Sequence, residues 1–142
     1  MIRKGDRIFF ADNSKNYLER CDVFARTVLG LGLVPVFYGG AGAAVRRSNQ
    51  DRAMRDDFYG AKAVVLYFGA PKDSSNHEDH WVLPEIKHRI AGVDCLLYLS
   101  EDFLLSVLQN HGYVGQPRVL SDGEDFGAAL QNDLQKLMGH DT

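Results

Sequence analysis

The chain has 142 residues, of which 45% are hydrophobic, and this is enough for one domain whose core needs no disulfide or metal. With 16 basic and 19 acidic residues, the formal charge of -3 gives no positive field to attract nucleic acid or anionic lipid. No apolar run reaches the roughly 20 residues of a membrane-spanning helix, and no secretory signal follows Met1. We therefore expect a single cytoplasmic domain over residues 1–142 that binds neither nucleic acid nor membrane.

The first part of the chain predicts two strands separated by a helix. Residues 7–11 are rich in β-formers and end at a polar run, 12–14, which can cap a helix over 17–31. Residues 33–38 predict a second strand, and Pro35 indicates an edge position because proline cannot donate a ladder hydrogen bond. The helix carries an apolar stripe suited to packing on a sheet, formed by Leu18, Cys21, Phe24, Ala25 and Val28.

The rest of the chain continues this alternation of strand and helix. Three further strands are predicted, over 61–69, 93–99 and 117–120. Helices are predicted to end at Tyr59 and to cover 81–90, 103–110 and 126–138. The third strand is a near-continuous apolar run, which is typical of burial on both faces. The alternation predicts an α/β, flavodoxin-like three-layer fold with a central parallel sheet of about five strands in the order 2-1-3-4-5.

Neither the cysteines nor the histidines predict a metal site. Cys21 falls inside the first helix and Cys95 inside the fourth strand, so both are expected to be small buried hydrophobes in a reducing compartment. His77, Glu78, Asp79 and His80, with His88, have the side chains of zinc ligands. No second cluster supplies the remaining ligands, and a solvated lid is the preferred interpretation. Such a lid could close over a nucleotide.

The topology predicts where a ligand would bind. Ligands of open α/β sheets lie beyond the carboxyl ends of the strands. One site is therefore expected among the loops after four strand ends, Phe10, Tyr38, Phe68 and Leu99. Phe10, Asp12 and Asn13 are candidate ligand contacts by position. The alternatives are core packing for Phe10 and helix capping for Asp12 or Asn13.

The loop after the second strand, residues 39–44, is rich in glycine and precedes two arginines. Its backbone N–H groups, including that of Gly40, and the guanidinium of Arg46 or Arg47 can pair with a diphosphate. The loop lacks the full dinucleotide fingerprint and does not follow the first strand. A flexible loop with solvated arginines is therefore the alternative interpretation.

Glu85 is the most informative residue of the chain. It stands four residues after Trp81, where the helix predicted over 81–90 begins just beyond the third strand. A glutamate at that point faces the ligand crevice of an open α/β sheet. The alternative is a glutamate that caps the helix on a solvated turn.

Three features, in order along the chain, resemble a TIR (Toll/interleukin-1 receptor) domain of the bacterial NADase type. They are a strand ending Phe9-Phe10, a glycine-bearing loop after the second strand, and Trp-x-x-x-Glu at the third helix. The resemblance covers most of the chain. It implies that Glu85 is the catalytic residue for cleaving the nicotinamide glycosidic bond of NAD, and that Trp81 is the motif tryptophan. It also implies that loop 39–49 is the family's BB loop, which helps form the cofactor site and the contact between protomers.

Two positions of the chain depart from the family pattern. The family usually has a serine near the end of the first strand, where this chain has Ala11, and another after the third strand, where it has Gly69. Both positions are still expected to line the NAD site. The full set of cofactor-binding positions expected from strand position, loop chemistry and the resemblance together is Phe10, Ala11, Asp12, Asn13, Gly40, Arg46, Gly69 and Trp81.

The resemblance implies an NAD+ hydrolase or cyclase that releases nicotinamide and gives ADP-ribose or a cyclic ADP-ribose signal, as in bacterial anti-phage defence. NAD would be the substrate, no other cofactor is implied, and assembly into a homo-oligomer through TIR–TIR contacts would switch activity on. A separate sensor or effector protein would then be the partner. Two alternatives stay open: a non-catalytic TIR-like interaction module, and an enzyme similar to nucleoside deoxyribosyltransferases, which also place a glutamate against an N-glycosidic bond.

Overall fold

The computed structural model describes residues 2–12, 17–38, 56–68, 87–89, 93–100, 109–110, 112, 115, 117–120 and 125–139. Five strands form one parallel sheet in the order β2-β1-β3-β4-β5. They are β1 Arg7–Asp12, β2 Val34–Tyr38, β3 Ala63–Phe68, β4 Cys95–Ser100 and β5 Arg118–Leu120. This confirms the predicted α/β, flavodoxin-like sheet and its strand order. The edge position of β2, which Pro35 indicated, is also confirmed.

Two described helices, α1 Tyr17–Gly30 and α2 Phe126–Leu137, cover one face of the sheet. Each turns its apolar stripe inward, with Phe24 and Val28 buried in α1 and Leu130 and Leu134 buried in α2. Asp125 caps α2, because its side chain accepts a hydrogen bond from the backbone N–H of Ala128. Within the described residues, no helix is both long enough and apolar enough to cross a membrane.

Aromatic rings fill the core between these helices and the sheet. The ring of Phe10 stacks on that of Phe24 with 4.8 Å between centroids, which ties β1 to α1. Phe126, at the start of α2, meets Tyr98 of β4 edge to face at 5.4 Å and Tyr67 of β3 at 6.1 Å. The first turn of α2 is therefore held over the middle strands of the sheet.

The second face of the sheet carries the alternate residues of the same strands. Phe9 of β1 meets Phe58 edge to face at 5.7 Å, and Phe58 belongs to a helical stretch over residues 56–60. Every residue of β3 is buried. Since successive strand residues point to opposite faces, this burial confirms that β3 is covered on both sides, as its continuous apolar run predicted.

Element boundaries differ from the predicted ones by one or two residues at several ends. β1 extends through Asp12, one residue further than predicted. β4 begins at Cys95 rather than at Val93, because Val93 and Asp94 form a turn in which Val93 is exposed. Apolar residues that precede a strand look like strand residues in a sequence, and the turn becomes visible only in the backbone.

Candidate functional site

The candidate site lies at the carboxyl edge of the sheet, which we define as the edge formed by the last residues of β1, β3 and β4. The strand order places β1 between β2 and β3. After β1 the chain enters α1, which lies on the face of the sheet covered by the two described helices. The next described segment after β3 contains Arg89, and this residue lies over the ring of Phe58 on the second face. Ligands of open α/β sheets bind beyond the carboxyl ends of the strands at the point where the strand order reverses, which in this sheet is between β1 and β3.

Asp12 closes β1 at this edge and is held by an arginine from α1. The Asp12 side chain has no exposed surface, and its Oδ2 accepts a hydrogen bond of 2.7 Å from Nε of Arg20. The Arg20 side chain is 19% exposed, so one end of the ion pair reaches the surface. A buried carboxylate is stable only when it is paired and hydrogen-bonded, and Arg20 supplies both the charge and the donor.

Arg20 is also stacked on an aromatic ring. Its guanidinium carbon lies 3.9 Å from the ring centroid of Tyr67, within the range of a cation–π contact. Tyr67 is the partner of Asp12 in the pairing of β1 with β3. Because Asp12 and Tyr67 stand side by side in the sheet, one guanidinium contacts both. Together the three residues place an ion-paired guanidinium above the β1–β3 junction.

Ser100 ends β4 at the same edge. Its Oγ is buried and has no hydrogen-bond partner among the described residues. Ser100 follows Tyr98 by two positions and pairs with Leu120, and both of these residues belong to the core under α1 and α2. Ser100 therefore stands on the face of the sheet that also carries Tyr67 and Arg20.

The cysteines take no part in the chemistry of this edge. Burial raises the pKa of the Cys21 thiol to about 11, with the nearby Asp12 carboxylate adding to the shift and Arg20 opposing it. Burial likewise raises the pKa of the Cys95 thiol to about 12. Both thiols are free and buried, which confirms the sequence prediction, and both stay protonated at neutral pH, where a thiol is a poor nucleophile.

A second polar cluster, on β4, β5 and α2, is structural. The Tyr98 hydroxyl donates a hydrogen bond of 2.8 Å to Asp133 Oδ2, and Arg118 donates two more to the same carboxylate, at 3.0 and 2.7 Å. Burial, followed by the Asp133 charge, raises the pKa of Tyr98 above its ordinary value. The phenol therefore remains a neutral donor that ties α2 to the sheet.

The structure describes three of the predicted site residues, Phe10, Ala11 and Asp12. Phe10 is wholly buried in the core, as its core-packing alternative states, and Ala11 is buried on the second face. Asp12 belongs to β1 and pairs with Arg20. The other predicted positions lie outside the described residues: Asn13, Gly40, Arg46, Gly69, Trp81 and Glu85.

Sequence reasoning missed Arg20, Tyr67 and Ser100. One signal was present, because a tyrosine and a serine stand at or near the ends of two otherwise apolar strands. Of the metal-type cluster, only His88 lies in the described part of the chain. Within that part, no group of three or more His, Cys, Asp or Glu side chains is arranged to hold a metal ion.

Comparison with known proteins found no matching family model, no matching curated protein and no matching solved structure. The functional argument for this chain therefore depends on its own residues, on the sheet topology and on the motif containing Trp81 and Glu85.

Proposed function

We propose that this protein is a TIR-like enzyme that cleaves the nicotinamide N-glycosidic bond of NAD+, with Glu85 as its catalytic residue. The observation that carries the proposal is the strand order, which reverses between β1 and β3, because ligands of open α/β sheets bind beyond the carboxyl ends of the strands at such a reversal. The chain leaves β3 at Phe68, on this edge, and Glu85 belongs to the connection that follows. The Trp-x-x-x-Glu spacing supplies the resemblance to TIR NADases.

The proposed reaction is driven by charge that develops on the ribosyl ring. The bond between C1 of the ribose and the nicotinamide nitrogen breaks, its electron pair goes to the cationic pyridinium, and nicotinamide leaves as a neutral molecule. The Glu85 carboxylate stabilises the positive charge that develops on C1, or traps it covalently. Water then attacks C1 and loses a proton to give ADP-ribose, or an adenine nitrogen attacks to give a cyclic isomer.

Arg20 supports a dinucleotide substrate at this edge. Its side chain is 19% exposed, and its guanidinium is fixed in orientation by Asp12 and by the Tyr67 ring. A guanidinium that is already oriented loses little conformational entropy when it meets a phosphate. We assign Arg20 to the diphosphate of NAD. The glycine-rich loop, with Gly40 and Arg46, is proposed as a second contact.

The proposal also covers the oligomeric state of the enzyme and the cellular system in which it acts. β2 is an edge strand, and its side chains Val34 and Phe37 are 41% and 42% exposed. An edge strand with exposed apolar side chains favours pairing between copies, which supports a homo-oligomer. We propose that assembly activates the enzyme in the cytoplasm, in a bacterial anti-phage system whose sensor or effector is a separate protein.

A product assay tests the function. Concentrated protein is incubated with NAD+, and nicotinamide, ADP-ribose and cyclic products are separated by chromatography. Glu85→Gln should abolish nicotinamide release without changing the unfolding transition. Glu19→Gln, an exposed glutamate in the first turn of α1, is the matched control and should retain activity.

The same assay separates the alternatives. A deoxynucleoside with an acceptor base is run in parallel, and base exchange that depends on Glu85 would assign the protein to the deoxyribosyltransferases. Unchanged nicotinamide release in Glu85→Gln would refute the catalytic assignment. No turnover of any substrate, at concentrations that produce oligomers in light scattering, would favour the non-catalytic interaction module.

A further inference from the structure

The unpaired hydroxyl of Ser100 is the least explained polar group in the described part of the chain. Its Oγ is buried, and no described residue accepts or donates a hydrogen bond to it. A buried hydroxyl without a partner costs free energy, because it has lost its hydrogen bonds to water and gained none. Such a group in a native fold calls for an explanation, and a ligand that completes the hydrogen bond is one.

The position of Ser100 points to a ligand at the carboxyl edge. In the sheet register Tyr67 pairs with Tyr98, so Ser100 stands one strand away from Tyr67 and two residues further toward the carboxyl side. The strand spacing and the rise per residue put the two Cα atoms about 8 Å apart. The guanidinium of Arg20 lies over the Tyr67 ring on the same face. A hydroxyl donor and a cation are therefore within reach of one small anionic ligand.

A change of rotamer is the step by which the hydroxyl would reach a ligand. Ser100 as a whole is partly exposed although its Oγ is buried. Rotation about the Cα–Cβ bond moves Oγ among the three staggered positions, and no hydrogen bond to a described residue has to be broken in that rotation. In the new rotamer the hydroxyl would donate a charge-assisted hydrogen bond to a ligand phosphate at the edge, which would stabilise that rotamer.

We infer that Ser100 donates a hydrogen bond to a phosphate oxygen of the nucleotide bound at the carboxyl edge, opposite the contact made by Arg20. The identity of the nucleotide as NAD or ADP-ribose rests on the proposed function. The placement of a phosphate rests on the hydroxyl, the guanidinium and the shared face of the sheet. Ser100 is thus a specificity residue for nucleotides that carry a diphosphate over nucleosides that do not.

The test measures binding rather than turnover. The full chain is titrated calorimetrically with ADP-ribose and, separately, with adenosine, which lacks the diphosphate. Ser100→Ala should raise the Kd for ADP-ribose about tenfold, and leave adenosine binding within about twofold. Ser100→Thr keeps the hydroxyl and should retain most of the ADP-ribose affinity.

Thermal unfolding without ligand gives a second, independent readout. Removal of an unpaired buried hydroxyl relieves its desolvation cost, so Ser100→Ala should melt at the same temperature as the parent or about 2–4 °C higher. A melting temperature lowered by that amount would show that the hydroxyl is bonded within the fold, and would overturn the inference. Unchanged ADP-ribose affinity in Ser100→Ala, or no binding of ADP-ribose to the parent protein, would overturn it as well.

The outcomes separate this inference from the proposed function. Binding of ADP-ribose that depends on Ser100, without nicotinamide release, would keep the phosphate contact and refute the NADase. Nicotinamide release that depends on Glu85, with ADP-ribose affinity unaffected in Ser100→Ala, would keep the NADase and refute the phosphate contact.

Discussion

Arg20 of α1 donates a hydrogen bond of 2.7 Å from Nε to Oδ2 of Asp12, the last residue of β1, whose side chain is wholly buried. Among the residues that the structure describes, Asp12 is the one charged residue that is buried. The pair joins the carboxyl edge of the sheet to the first turn of the helix that follows it. Fold stability and the shape of the candidate site therefore depend on the same contact.

Loss of the Asp12 carboxylate should destabilise the protein strongly. Asp12→Ala removes the carboxylate that pairs with the Arg20 charge, and breaking a buried pair from one side costs about 3 kcal/mol or more in free energy of unfolding. Urea unfolding measures the loss. Asp22→Ala is the control, because it breaks the Arg26–Asp22 pair, whose side chains are 71% and 69% exposed, and should cost less than about 1 kcal/mol. Equal losses in the two variants would contradict a structural role for the buried pair.

Substitution of Gly127 is expected to destabilise the protein because α2 approaches α1 closely at this position. A Cβ at this position would lie 3.0 Å from Val23 Cγ1 and 3.2 Å from Asp125 Oδ1. Gly127→Ala gains up to about 1 kcal/mol of helix propensity, but overpacking costs typically 1–3 kcal/mol, so we expect net destabilisation.

The matched control for this substitution is Gly30→Ala. Gly30 ends α1 with no atom within 4 Å of an added Cβ, so alanine there should leave the protein unchanged or slightly more stable. Thermal unfolding of the two variants distinguishes them. A stabilised Gly127→Ala would show that the two helices separate without cost.

Arg89 should be required for stability although it lies far from the carboxyl edge. Its side chain is 8% exposed, and it pairs with Asp94 at 3.2 Å while donating to the backbone oxygens of Ala61, at 2.9 Å, and of Phe58. Arg89→Leu removes the ion pair and these hydrogen bonds, and we expect a loss of about 3 kcal/mol in free energy of unfolding. Lys87→Leu, an exposed neighbour, should change stability by less than about 0.5 kcal/mol in the same urea experiment.

Arg89→Lys provides the conservative test of the same contact. Lysine keeps the charge but lacks the planar fork that serves several acceptors at once, so it should restore only part of the lost stability. Full restoration of the free energy of unfolding by lysine would show that the positive charge alone, and not the planar guanidinium, stabilises this segment.

The buried thiol of Cys95 should make stability depend on alkaline pH. Burial raises its pKa in the folded state from 9.0 to about 12. Its contribution is therefore fully present below pH 9 and is lost as the pH rises from about 9 to about 12, because the unfolded thiol ionises first. Within that window one such group lowers the free energy of unfolding by about 1.4 kcal/mol per pH unit.

Cys95→Ala isolates this effect from other groups that titrate in the same range. The stability difference between the parent and the variant, from urea unfolding at pH 8, 9, 10 and 11, should shrink as the pH rises. Cys21 and Tyr98 remain in both proteins and cancel in the difference. A difference that stays constant across this range would contradict a raised Cys95 pKa.

The local pattern of the sequence was sufficient for the five strands, for α1 and α2, and for the faces that they bury. Cys21, Phe24 and Val28 recur at helical spacing and are buried together in α1. The apolar run of β3 predicted burial on both sides, and Pro35 predicted the edge strand. These features follow from hydrogen-bond geometry and side-chain periodicity within a few neighbouring residues, so a linear pattern contains them.

The contacts at the carboxyl edge were decided by the tertiary structure. Asp12 had two interpretations in the sequence, a ligand contact or a helix cap, and the sheet adds a third by extending β1 through it and placing Arg20 against it. Tyr67 reaches the same guanidinium only because parallel pairing sets it opposite Asp12, 55 positions earlier in the chain. Strand register over such a separation depends on how the whole core packs, whereas the alternation that defines each strand is local.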